Sequence, residues 1–99
     1  MNNAIAKTIL EQLGGSRFLA MTGAHSLTFE ASSLTFKLPT ISKVWAVKIE
    51  LEPSDTYTVT AYKRRRAPVY FEALEPVGDV YAENLAAVFK SLTGLDTSL

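Results

Sequence analysis

Four consecutive cations, Lys63-Arg64-Arg65-Arg66, form the densest run of ligand-binding side chains in the sequence. A guanidinium grips phosphate oxygens through two parallel hydrogen bonds, and counterion release drives such contacts, so this run suits a nucleic-acid backbone. It also has a plainer reading, because a hairpin tip is solvated and charge there discourages edge pairing. Tyr62 and Tyr70 flank the run, and Lys43 and Lys48 precede it. A loop symmetric about Arg66 sets Tyr62 opposite Tyr70. A turn centred on Ser54 sets Ala46 opposite Tyr62 and Lys48 opposite Thr60. Val44, Ala46, Tyr62 and Tyr70 then make a small apolar island beside the arginines. Aromatic rings next to cations on an open sheet face are how several small domains stack single-stranded bases. A tyrosine pair that only stabilises a hairpin, or that a neighbouring subunit covers, reads the same way in sequence.

Other chemistries find little support. With no cysteine, thiolate metal sites, disulfides and cysteine nucleophiles are excluded. His25 is the single histidine, set in a Thr22-Gly23-Ala24-His25-Ser26 turn with no nucleophile motif around Ser26. Gly14-Gly15 and Gly23 lack the spacing and the lysine of a phosphate loop. Glu50, Glu52 and Asp55, and again Glu72, Glu75 and Asp79, cluster near turns, where carboxylates are normally solvated, although such groups can hold magnesium with a phosphate substrate. No catalytic residue, metal ligand or cofactor is expected, and the reading is of a protein that is not an enzyme.

The elements that must position these residues follow from periodicity. Ile5, Ala6, Ile9, Leu10 and Leu13 recur at three- and four-residue spacing behind Asn2 or Asn3 as N-cap, which predicts a helix ended by Gly14-Gly15. From Arg17 the period becomes two, predicting short strands at Phe18 to Thr22, Leu27 to Glu30 and Leu34 to Leu38. Trp45, Val47, Ile49 and Leu51 alternate with Val44, Ala46, Lys48 and Glu50, giving one apolar face. Tyr57, Val59 and Ala61 repeat the pattern beyond the Pro53-Ser54-Asp55 turn, as do Val69, Phe71 and Ala73 beyond the basic loop. Asp79 is the expected N-cap of a last helix in which Tyr81, Leu85, Val88, Phe89 and Leu92 share a face, and Gly94 closes it. The predicted core gathers Trp45, Val47, Ile49, Val59, Phe71, Leu85 and Phe89.

This pattern predicts one α+β domain over residues 1–99, with a mostly antiparallel five- to six-stranded sheet and an N-terminal and a C-terminal helix packed on one face. The other face is then left open, and the alternative is a closed or half-closed barrel gripping one helix, since strand order is not written in the sequence. Ninety-nine residues, 47% of them hydrophobic, are enough for one core. Formal net charge is zero, but residues 37–66 carry a local net of +4 and residues 67–99 a net of −4. The first residues lack the basic start and apolar run of a signal peptide and no window is long enough for a membrane span, so the expectation is a cytoplasmic protein with no membrane partner.

Thr8 to Ala24 reads TILEQLGGSRFLAMTGA, followed by LTFKLP at Leu34 to Pro39, DTYTV at Asp55 to Val59, DVYAENL at Asp79 to Leu85 and TGLDTSL at Thr93 to Leu99. In these segments the chain resembles a family of small uncharacterised proteins encoded by phages, prophages and plasmids. The family has no assigned activity, so no site residue carries over. The resemblance implies an accessory of phage replication, packaging or host takeover, a role commonly filled by binding nucleic acid or another protein. Where related sequences have an aromatic and a glycine around a shorter basic turn, this chain has AYKRRRAP at Ala61 to Pro68. Two expectations follow. One is nucleic-acid binding through Lys63, Arg64, Arg65 and Arg66 with Lys43, Lys48, Tyr62 and Tyr70. The other is a protein-binding module, either an inhibitor of a host or phage protein or a homo-oligomer pairing through the same sheet face or an edge.

Overall fold

The structure, a computed structural model, describes residues 4–39, 44–64 and 71–94, with only the backbone for Arg64, Phe71 and Glu72. Chain order is α1 (Ala4–Leu13), α2 (Ser16–Thr22), β1 (His25–Phe29), β2 (Ser33–Lys37), β3 (Val44–Leu51), β4 (Tyr57–Arg64), β5 (Phe71–Ala73), β6 (Val77–Val80), a single 3₁₀ turn (Ala82–Asn84) and α3 (Leu85–Thr93). The strands form an antiparallel meander, β1-β2-β3-β4-β5, and β6 also pairs with β4. This is an α+β fold, with α1 and α3 on one face of the sheet.

The helices bury the stripes that their spacing dictates. Ala6, Ile9 and Leu13 of α1 and Leu85 and Phe89 of α3 are buried against Leu34, Phe36, Val47, Ile49 and Val59 of the sheet. Gly14 and Gly15 follow α1 at positive φ, and Gly94 closes α3 at φ 78 with its N–H on the Lys90 carbonyl. These are the left-handed ends that a glycine adopts without a Cβ penalty. Among the described residues, no helix is long and apolar enough to cross a membrane.

Phe18 to Thr22 is helix and not strand. Four residues apart, Phe18 and Thr22 are buried together while Ala20 between them is exposed. Phe18 meets Phe36 edge-on at 5.2 Å and Phe89 at 5.3 Å, so the short helix is pinned where sheet and α3 join. Thr22 ends it by donating to the Phe18 carbonyl at 2.8 Å and accepting from the Ala24 N–H at 3.2 Å. Gly23 at φ 73 then lets the chain pass Pro39, whose Cγ would lie 2.8 Å from any Cβ built there.

The expected cap at Asp79 is also corrected. Asp79 lies in β6 at φ 55, and α3 is entered through the 3₁₀ turn with Asn84 at its N-cap. Tyr81 therefore precedes the helix and is 56% exposed, off the face it was expected to share. The register of β4 with β6 shifts between Tyr57 and Val59, and β5 and β6 together line one edge of β4 around Leu74-Glu75-Pro76. At the opposite edge, β1 is irregular between His25 and Thr28, with Ser26 at φ 54. Broken edges of this kind discourage pairing with other chains.

Candidate binding face

The expected register between β3 and β4 is found: Ala46 pairs with Tyr62 and Lys48 with Thr60. It shifts between Val44 and Ala46, however, because Val44 pairs with Lys63. One extra residue on β3 breaks the two-residue alternation, and that residue is Trp45. Val44 thus joins the core at 3% exposure instead of the open face, and Trp45 stands on the open face, partly exposed, instead of in the core. These are the two chief corrections to the expected layout. Phe71, expected in the core, has no described side chain.

The open face carries a shallow groove of about 330 Å³ across four strands. Ser26 and Thr28 line it from β1, and Thr35 and Lys37 from β2. Trp45, Ala46 and Lys48 contribute from β3, and Tyr62 from β4. Each polar liner of β2 and β4 alternates with a core residue: Thr35 and Lys37 with Leu34 and Phe36, and Tyr62 with Ala61. The Lys37 ammonium lies 5.2 Å from the centroid of the Trp45 ring, within cation–π range. Among the described residues, two cations, two aromatic rings and three hydroxyl side chains line the groove, and no carboxylate does.

Of the residues singled out from sequence, the structure brings Lys48 and Tyr62 together in this groove. Lys63 is exposed at the end of β4, paired in register with Val44 and Glu72. Arg64 is the last residue of β4, in register with Phe71. Lys43, Arg65, Arg66 and Tyr70 lie outside the described residues. Tyr62 pairs with Ala73, so the loop is not centred on Arg66 and Tyr70 does not stand opposite Tyr62. The expected apolar island therefore keeps Ala46 and Tyr62, loses Val44, and gains Trp45.

Sequence reasoning missed Trp45, Lys37, Thr35, Thr28 and Ser26 as members of one site. The alternation in Leu34-Thr35-Phe36-Lys37 held the signal for two of them, since Thr35 and Lys37 must share the face opposite Leu34 and Phe36. His25 is exposed at the start of β1, with Nδ1 3.0 Å from the Ser26 hydroxyl. Among the described residues, no group of three or more acidic or histidine side chains comes together as a metal site would require. Elsewhere, burial pushes the Tyr57 hydroxyl above the usual tyrosine range, an effect partly offset by its 2.7 Å hydrogen bond to Gln12 Oε1.

The fold and this groove define a small α+β domain whose open sheet face carries a groove lined by two aromatic rings and two lysines, with Glu50 two residues beyond Lys48 on the same face. Comparisons with protein-family models, curated proteins and solved structures gave no match.

Proposed function

We propose that this chain is a non-enzymatic accessory protein of a phage or other mobile element, and that its open sheet face binds single-stranded nucleic acid. The observation that carries the reading is the pairing of Trp45 and Tyr62 with Lys37 and Lys48 in one groove. Unstacked bases gain about 1 to 3 kcal/mol each on an aromatic platform, and nearby cations hold the backbone. In a duplex the flat faces of the bases are already stacked on one another, so the platform favours single strands. The basic run Lys63 to Arg66 follows Tyr62 directly in sequence and adds four cations to those of the groove. The resemblance to phage-encoded proteins supplies the context.

A second reading has the same face covering a host or phage protein or a second copy of this chain, and zero net charge favours it. Titration of labelled single-stranded and duplex oligonucleotides at several salt concentrations separates the two. Nucleic-acid binding predicts quenching of Trp45 emission by single strands and a linear fall of log affinity with log salt. Trp45→Ala and Tyr62→Ala should each cost about 1 to 3 kcal/mol on single strands. Replacing Arg64, Arg65 and Arg66 by serine should flatten the salt slope by roughly 2, at about 0.7 per cation on a single strand. Wild-type binding no tighter than micromolar at low salt, unaffected by the triple substitution, would end this reading in favour of a protein partner.

A further inference from the structure

The polar and aromatic side chains of the open face fall into rows that cross the strands; two of them meet at the groove, and a third, Ser33-Glu50-Thr58, lies beyond the Lys48 row. Register aligns Thr28 with Thr35, Thr35 with Lys48, and Lys48 with Thr60. This row of three hydroxyls and one ammonium runs from β1 to β4. Two residues along the strands, Lys37 aligns with Ala46 and Ala46 with Tyr62, and the extra residue Trp45 stands beside Ala46. Both aromatic rings of the groove therefore belong to the second row. The rows lie two residues apart, or about 7 Å at the rise of a β-strand.

We infer that a single nucleic-acid strand crosses the sheet at right angles to the β-strands, its sugar–phosphate backbone on the Thr28-Thr35-Lys48-Thr60 row and its bases over Trp45 and Tyr62. This assignment rests on the nucleic-acid reading above. Hydroxyls and ammonium groups donate to phosphate oxygens, whereas the faces of bases are satisfied by rings. The separation of the rows leaves room for a sugar between a phosphate on one and a base on the other. Four strands at about 4.8 Å span roughly 14 Å, a length covered by about two to three nucleotides of extended strand. The volume of the groove, about 330 Å³, lies near the lower limit of small-ligand sites. It holds a short footprint.

The two groove lysines then differ in role. Lys48 sits in the polar row and neutralises a phosphate. Lys37 sits in the aromatic row with its ammonium against the Trp45 ring, so it is a positioning residue that sets the ring for stacking. Lys48→Met should lower the salt slope by roughly 0.7. Lys37→Met should leave the slope unchanged while weakening binding several-fold and shifting Trp45 emission in the free protein.

The test uses the full chain with Arg64, Arg65 and Arg66 replaced by serine, so that only the face is read, and oligothymidylates of increasing length. Far-UV circular dichroism confirms that each variant is folded, and any that is not gives way to the milder Lys37→Gln or Lys48→Gln. Affinity should rise to about three nucleotides and then level apart from the statistical gain of longer strands. Equal loss of salt slope in the two lysine variants, or affinity climbing steeply beyond about six nucleotides, would overturn the assignment while leaving the nucleic-acid reading intact. Failure of the unsubstituted protein to bind any oligonucleotide would overturn both.

Discussion

Phe18→Ala tests whether α2 is a docked helix, and its partner Ala20→Lys tells helix from strand. Phe18 is fully buried, with edge-to-face contacts to Phe36 at 5.2 Å and Phe89 at 5.3 Å. Truncating a buried phenylalanine costs about 3 to 5 kcal/mol. Two ring contacts, each about 0.5 to 1.5 kcal/mol beyond area burial, place this one in the upper part of that range. A domain of this length has roughly 5 to 15 kcal/mol in all, so Phe18→Ala removes a large share of it. The urea midpoint should fall by roughly 2 M or more, and the melting temperature by roughly 15 to 30 °C. Ala20 lies between Phe18 and Thr22 in sequence. In a strand it would share their buried face, and a lysine there would bury an unpaired charge. In the helix it is exposed, and Ala20→Lys should stay within about 0.5 kcal/mol. Urea titrations followed by far-UV circular dichroism and by Trp45 emission measure both variants. A loss below about 1 kcal/mol for Phe18→Ala, or above about 2 kcal/mol for Ala20→Lys, would refute the docked helix, since neither is compatible with the transfer and burial terms just given.

Tyr57→Phe should lose about 1 kcal/mol at neutral pH with the Gln12 hydrogen bond. It should also flatten the alkaline limb of stability. Because burial raises the folded-state pKa, the wild type keeps this contribution below the unfolded tyrosine pKa and loses it as pH rises toward the folded value. An identical alkaline fall-off in the two proteins would show that Tyr57 is not the group responsible. Asp79→Gly should raise stability by up to about 1 kcal/mol by relieving a positive φ, whereas loss of a helix cap would lower it; the denaturation midpoint gives the sign. Gly23→Ala should cost at least about 1 to 2 kcal/mol in thermal or chemical denaturation, from the left-handed backbone and from the approach of Pro39.

Much of the layout was legible because one pattern dominates where it is long. Eight residues of β3 and eight of β4 give enough alternation to fix both the buried face and the pairing of Ala46 with Tyr62. In α1 and α3 the apolar spacing and the closing glycines agreed with each other. The failures lie where the signal is short or interrupted. Phe18 and Thr22 are separated by an even number of residues that is also one helical turn, so a seven-residue helix and a strand bury the same pair. In β6, Pro76 and Gly78 break the alternation around Val77, which hid a strand that does pair with β4. Nothing in the residue types of Val44-Trp45-Ala46 announces an extra residue. A buried tryptophan is the more favourable default for the hydrophobic effect, and only the partner strands reveal that the register has slipped. The candidate site was therefore half legible: Lys48 and Tyr62 were visible, but Lys37 was missed and the largest ring was assigned to the wrong side.

The extra residue in β3 also separates what the core requires from what the open face presents. Remove Trp45 and the strand reads Val44-Ala46-Val47-Lys48-Ile49, an unbroken alternation with the same residues turned inward and the same partners on β4. A chain with Trp45 deleted would differ by an indole on the surface and by almost nothing in the interior. Substitution rarely allows so clean a change, since exchanging a side chain leaves the spacing of its neighbours alone but cannot remove a residue that is out of phase. A one-codon deletion is thus the natural unit by which this scaffold could be repurposed.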